Sequence, residues 1–183
     1  MPRIATPATV AAAPEASRPL LEAVGRQLGV VPNLFRMVSN SRAALEGYVG
    51  LLGALAKGAL PAATHERIAL TVAEFNECDY CLSAHTYLGT NVAKLDDAEI
   101  SANRSGKSHD SKADAALRFA RQVLESRGRV SDEEVRAVKG AGYTDAQIVE
   151  IVQHVALNIW TNYVNNVAQT TIDFPLVSSR KVA

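Results

Sequence analysis

Both cysteines of the chain and one of its four histidines lie within the stretch Cys78-Asp79-Tyr80-Cys81-Leu82-Ser83-Ala84-His85. On an α-helix, at about 100° per residue, the two sulfurs and the imidazole fall within an arc of roughly 60° and share one face. The nucleophile of cysteine chemistry is the thiolate, and an ordinary cysteine is mostly protonated near neutral pH, so its pKa must be lowered. A helix N-terminus does this through its partial positive charge and free N–H groups, and an imidazole one turn away takes the proton or stabilises the anion. Three-residue spacing also lets the pair close into a disulfide, one thiolate attacking an oxidant and the other resolving the product. Cys81 is the expected attacking cysteine, Cys78 the resolving one, and His85 the proton acceptor.

Other readings of the same residues stay open at this point. Free cysteine often fills a small buried apolar position. Zinc would take Cys78, Cys81 and His85 and need a fourth ligand, from His65, Glu66 or a water; no metal set is assigned, because no second Cys-x-x-Cys completes it. A thioredoxin-like fold would need a βαβ setting that the pattern does not contain. Glu66 alone reads as a carboxylate complementing the dipole of a helix's first turn. Glu74 and Glu77 read as solvated, Glu77 being a weaker alternate base, and His65, His109 and His154 read as structural. Asn158, Trp160, Asn162, Tyr163, Asn165 and Asn166 either line the site or bond across a subunit contact.

The elements that position these residues read as helices throughout. Leu20, Leu21, Val24 and Leu28 keep helical spacing up to Gly29, and Val31-Pro32-Asn33-Leu34-Phe35-Arg36-Met37 restarts after a proline. Arg42 to Lys57 carries an apolar stripe interrupted by Gly47, Gly50 and Gly53, each costing about 1 kcal/mol relative to Ala. These glycines suit a tightly packed core helix. Pro61 opens a helix to about Asn76, a break follows, and a helix from Cys78 to Leu88 stops at Gly89. Asp96 or Asp97 caps a short helix, Ser101 to Asp110 reads as a solvated, mobile loop, and Ala113 to Leu124 is amphipathic. The boxes Ser131-Asp132-Glu133-Glu134 and Thr144-Asp145-Ala146-Gln147 start two more helices, the second reaching about Thr170. No period-two alternation bounded by hairpin turns occurs, so the fold class is all-α.

With 183 residues, 48 % hydrophobic and 21 % charged, the chain can bury a core without disulfides. Lys+Arg and Asp+Glu both number 19, and no basic run offers the electrostatic footprint that nucleic acid requires. No apolar run approaches the roughly 20 residues of a membrane span. The expected setting is cytoplasmic, where a lone Cys-x-x-Cys serves catalysis or metal binding more often than stapling. Residues 1–17 are expected to form a flexible arm, 18–175 one helical domain and 176–183 a tail, with Phe174 and Leu176 available to pack on a neighbour.

Glu66 followed by Cys78-x-x-Cys81-x-x-x-His85 on helices resembles the AhpD-like alkylhydroperoxidases of the carboxymuconolactone decarboxylase superfamily. Val31-Pro32-Asn33-Leu34-Phe35, the stretch from Leu60 to Gly89, and Ile172-Asp173-Phe174-Pro175 resemble its peroxidase-related branch, so the likeness covers most of residues 30 to 175. The resemblance implies an AhpD-like helical bundle with the Cys-x-x-Cys at a helix N-terminus. It implies a hydroperoxide reductase in antioxidant defence, in which Cys81 attacks, Cys78 forms the disulfide and Glu66 joins His85 in a proton relay. It further implies an external dithiol or disulfide reductase as electron donor, no flavin or haem, and a homo-oligomer: dimer, trimer or hexamer. Tyr80 departs from the pattern, standing where a further relay histidine can occur, and as a phenol it is a poor base at neutral pH. The alternatives are decarboxylase-like acid–base chemistry by Glu66 and His85 on the same fold, and a non-enzymatic redox-sensing oligomer.

Overall fold

The computed structural model describes residues 2–180. Among the described residues lie nine α-helices and no strand: α1 Arg18–Leu28, α2 Asn33–Val38, α3 Arg42–Leu55, α4 Ala62–Phe75, α5 Asp79–Asn91, α6 Asp97–Arg104, α7 Ser111–Ser126, α8 Asp132–Gly140 and α9 Asp145–Ala168. The all-α expectation holds. None of these helices is long and apolar enough to cross a membrane. The chain forms two compact units, one running through Lys57 together with Val164–Asp173, the other comprising Gly58–Tyr163 and the segment from Phe174 on.

In the first unit, α1, α3 and a 3-10 turn at Glu15–Ser17 pack together, with α2 on α3. Gly29 closes α1 in the left-handed region at φ 76°, a conformation glycine adopts without a Cβ clash. Two stretches distant in sequence meet here. The Asn33 N–H donates to Asp173 Oδ2 at 2.8 Å, and its side-chain amide donates to the Thr171 carbonyl at 2.9 Å. Residues of the N-terminal arm are tied down as well: the Ala8 carbonyl accepts from Arg36, the Ala5 carbonyl from Asn40, and the Arg3 N–H donates to the Ala168 carbonyl. The tightly packed core helix expected from Gly47, Gly50 and Gly53 is not what α3 presents along that face. All three are exposed, and a Cβ at any of them would meet nothing within 4 Å.

The second unit is built around α4, which packs on α5, α6 and α7, while α8 packs on α7. Ile68, Leu70, Val72 and Ala73 are fully buried and Ala69 and Thr71 nearly so, so this helix is enclosed on every side over residues 68–73. Each large apolar side chain so buried contributes about 1.5–3 kcal/mol. Ile68 and Val72 join Leu117, Phe119 and Ala120 of α7, Val138 of α8, and Ile151 and Val155 of α9 in one core cluster. Both capping boxes form. Ser131 Oγ accepts from the Glu134 N–H while Glu134 reaches back, and Thr144 with Gln147 does the same at the start of α9.

Two boundaries differ from the sequence reading. Gly89 lies inside α5 rather than ending it, facing Leu95 and Ile100, and a Cβ there would make ordinary contact with them at 3.5–3.8 Å. Ser101 to Asp110 is not a solvated loop. Its first residues complete α6, and the remainder folds around the buried carboxylate of Glu99, which accepts from Arg67, Asn103, Ser108 and the His109 N–H. Those bonds hold Glu99 well below the usual carboxylate range, at about 2, against the opposing effect of burial. A polar composition signals a loop only when its polar groups face water, and here they serve a buried acid.

Candidate active site

The turn between α4 and α5 delivers the first cysteine. The Cys78 N–H donates to the Ala73 carbonyl at 3.0 Å and the Glu77 N–H to the Glu74 carbonyl at 3.1 Å, the paired bonds of a Schellman motif. Glu77 occupies the left-handed position at φ 50°, where glycine is the usual residue. Cys78 then serves directly as N-cap of α5, its sulfur accepting from the Cys81 N–H at 3.4 Å. Both sulfurs are reduced and buried, Cys78 at 0 % and Cys81 at 2 % exposure. The Cys78 thiol is pushed up in pKa, foremost by its hydrogen bond with the Cys81 side chain and then by burial, and these outweigh the Cys81 N–H that favours its anion.

One and two turns into α5, Cys81 and His85 follow on the same side. His85 Nδ1 pairs with Glu66 Oε2 of α4 at 2.8 Å, with both side chains about one-fifth exposed at 23 % and 19 %. Burial works against a charged ring, yet the Glu66 carboxylate and the Cys81 sulfur together raise the His85 pKa above its ordinary value. With Nδ1 occupied, Nε2 is the nitrogen left for proton exchange. The structure therefore brings Cys78, Cys81, His85 and Glu66 into one group within the second unit.

Two histidines read from the sequence as structural stand beside this group. His65 stacks on His154 of α9 with ring centroids 4.1 Å apart and planes 28° from parallel. His154 is held down to about 4, first by burial, then by His65 and His85, against the pull of Glu150. His65 is lowered by burial, opposed by Glu66, the Leu60 carbonyl and Glu150. The Nε2 atoms of both are buried with no hydrogen-bond partner. His154 lies one turn from Ile151 and Asn158, both buried, and that spacing on the inner face of α9 is the signal that could have found it. Glu150 is anchored nearby, accepting from the Ala59 and Leu60 N–H groups just before α4.

Other candidates take different places. Glu74 is not solvated: it pairs with Arg104 and accepts from the Arg180 N–H. Glu77, the alternate base, is exposed in the turn. Tyr80 packs edge-on against Phe174, with centroids 5.9 Å apart, and Tyr87 packs on the same ring. His109 is largely exposed at 68 % of its side chain. Of the amide-rich end of α9, Asn158 bonds back to the His154 carbonyl and Asn162 accepts from Asn76. Among the described residues no three His, Cys, Asp or Glu side chains are gathered as a metal site requires.

Residues 42–126 match the carboxymuconolactone decarboxylase family. Among solved structures, the chain is similar to an uncharacterised peroxidase-related protein with an alkylhydroperoxidase AhpD core from Ralstonia eutropha JMP134. That likeness has a TM-score of 0.83 and 22 % identity over 94 % of this chain and 92 % of that one. A peroxidase-related protein from Silicibacter sp. TM1040 is similar with a TM-score of 0.77 and 20 % identity, over 86 % and 85 % of the two chains. The debrominase Bmp8, solved as a cysteine-to-alanine variant with 2,3,4-tribromopyrrole, is similar with a TM-score of 0.76 and 20 % identity over 94 % and 93 %. At these identities the likeness is one of fold. No curated protein matches the chain.

Proposed function

We propose that this chain is a thiol-dependent hydroperoxide reductase, a reading supported by the match of residues 42–126 to the carboxymuconolactone decarboxylase family and by the AhpD-like fold. The observation that carries this reading is the Cys78–Cys81 pair at the start of α5 beside the 2.8 Å pair of His85 and Glu66. Such a set needs two thiols for a two-electron reduction, whereas acid–base chemistry by Glu66 and His85 would need none. The thiolate of Cys81 attacks the terminal oxygen of a hydroperoxide, breaking the O–O bond and leaving a cysteine sulfenic acid and an alkoxide. His85, holding the proton it took from Cys81, protonates the alkoxide, and Glu66 orients the ring and balances its charge. Cys78 then attacks the sulfenic sulfur, water leaves, and the disulfide forms. An external dithiol returns the pair to the reduced state, so peroxide is reduced at the dithiol's expense. The working form is a homo-oligomer, which light scattering on the purified chain tests directly.

The deciding experiment is a thiol titration of the reduced, metal-stripped protein before and after one equivalent of an organic hydroperoxide, beside the Cys81→Ser variant. Loss of both thiols per peroxide consumed, abolished by the substitution, is the expected result. Two free thiols alongside persisting peroxide would sink the reading. A brominated pyrrole in a parallel tube separates peroxide reduction from reductive debromination, since both oxidise the dithiol but only one releases bromide.

A further inference from the structure

Past the aromatic contacts of Phe174, the chain runs extended over the α4–α5 turn and is held almost entirely by side chains of three helices. Ser83 of α5 accepts from the Val177 N–H at 2.9 Å and donates to the Val177 carbonyl at 3.4 Å. Asp79, the first residue of α5, accepts from the Ser179 N–H at 2.8 Å, and Glu74, in the last turn of α4, accepts from the Arg180 N–H at 2.6 Å. From α6, Arg104 donates to the Ser178 carbonyl at 2.8 Å while also pairing with Glu74. The Arg180 guanidinium donates to Ser105 Oγ at 2.8 Å and Ser101 Oγ at 2.9 Å. Glu74 and Asp79 bracket Cys78, so the segment bridges the turn that carries this cysteine.

Two properties set this segment apart from the helices beneath it. It buries little: Leu176 is 68 % exposed and Ser178 and Arg180 are also exposed, so what retains it is polar. Segments held by surface hydrogen bonds with few buried apolar contacts open locally at far lower cost than a core helix. The turn below is itself strained at Glu77. Meanwhile Cys78 is fully buried and Cys81 is 2 % exposed in the closed form, so an external dithiol needs a local opening to reach Cys78.

We propose that Val177–Arg180 is a strap that clamps the turn carrying Cys78, and that its release is what opens the cysteine pair to an external dithiol. This deepens the redox reading above by naming how access to its site is controlled, and it rests on that reading only for the identity of the reagent admitted. The strap ties the first turn of α5 to the last turn of α4 and to α6. Releasing it frees the N-terminal turn of α5, where Cys78 caps the helix by accepting from the Cys81 N–H.

The test is native-state alkylation by iodoacetamide, followed by peptide mass spectrometry on each cysteine. It compares the parent, the full-length double variant Ser83→Ala with Arg180→Ala, and a chain ending at Leu176. Each hydrogen bond lost is worth roughly a factor of five in an opening equilibrium, so Cys78 is expected to react about tenfold faster or more in the double variant and faster still in the shortened chain. A Cys78 rate within about twofold of the parent, in a double variant that still unfolds cooperatively, would overturn the proposal. Should the shortened chain fail to fold, the double variant decides. Accelerated alkylation without peroxide-driven thiol loss would leave the strap in place and remove the peroxidase reading.

Discussion

Replacing His154 by phenylalanine keeps a ring stacked on His65 and removes the one imidazole most strongly held neutral. The unfolded ring takes its proton near 6.5, the folded ring only at about 4. Between those values the unfolded chain binds more protons, so this group makes stability fall as pH falls, by up to about 1.4 kcal/mol per pH unit. Over the roughly 2.5 pH units that separate the two states, at 1.36 kcal/mol each, the parent loses about 3 kcal/mol that the variant does not. His154 is 4 % exposed, so solvent screening discounts this little. His65, His85 and Glu150 are the charged or titratable neighbours acting on the ring, and they remain in both proteins. The assay is urea unfolding at intervals from about pH 7.5 down to about pH 4, read as the difference between variant and parent. Near neutral pH that difference reflects packing alone; it is expected to move in the variant's favour by about 3 kcal/mol at the acid end. A difference that stays constant across the series would refute the picture of a buried ring held neutral at His154.

The Glu66→Gln substitution removes the carboxylate that raises His85. The stability this pair contributes is present below the unfolded value of 6.5 and fades as pH rises through the folded one, and the variant should lack that fade; its Cys81 should alkylate about tenfold more slowly at neutral pH, a hydrogen bond to a charged group being worth roughly 1.5–3 kcal/mol. For Glu99→Gln, the loss should be about 3 kcal/mol near neutral pH, since the acid titrates at about 2 folded against 4.5 unfolded; that stability is present above 4.5 and disappears as pH falls toward 2, so the variant and parent should converge in acid unfolding followed by circular dichroism. Gly50→Ala on the open face of α3 should raise stability by about 0.5–1 kcal/mol, and a fall in the thermal midpoint would show that this face is occupied in solution.

The helices themselves were legible in the residues because their punctuation is local. Gly29, Asp96, the pair of Ser131 and Glu134, and the pair of Thr144 and Gln147 each satisfy end groups within three or four positions of themselves. The shared face of Cys78, Cys81 and His85 follows from helical spacing alone. The pairing of Glu66 with His85 was suggested by family resemblance, not by spacing, because the two stand on different helices. The left-handed Glu77 could not be read, since glycine is the usual signal there and the Schellman bonds form only when α4 ends against Cys78. Glu74 read as solvated and Glu99 drew no notice because an isolated carboxylate carries no mark of the arginine that will meet it 30 or 32 positions away. The same holds for the His65–His154 stack and for the strap over Cys78. Local hydrogen bonds are encoded in short windows, whereas burial, and with it the charge state of an acid or imidazole, is set by which distant helix packs against it.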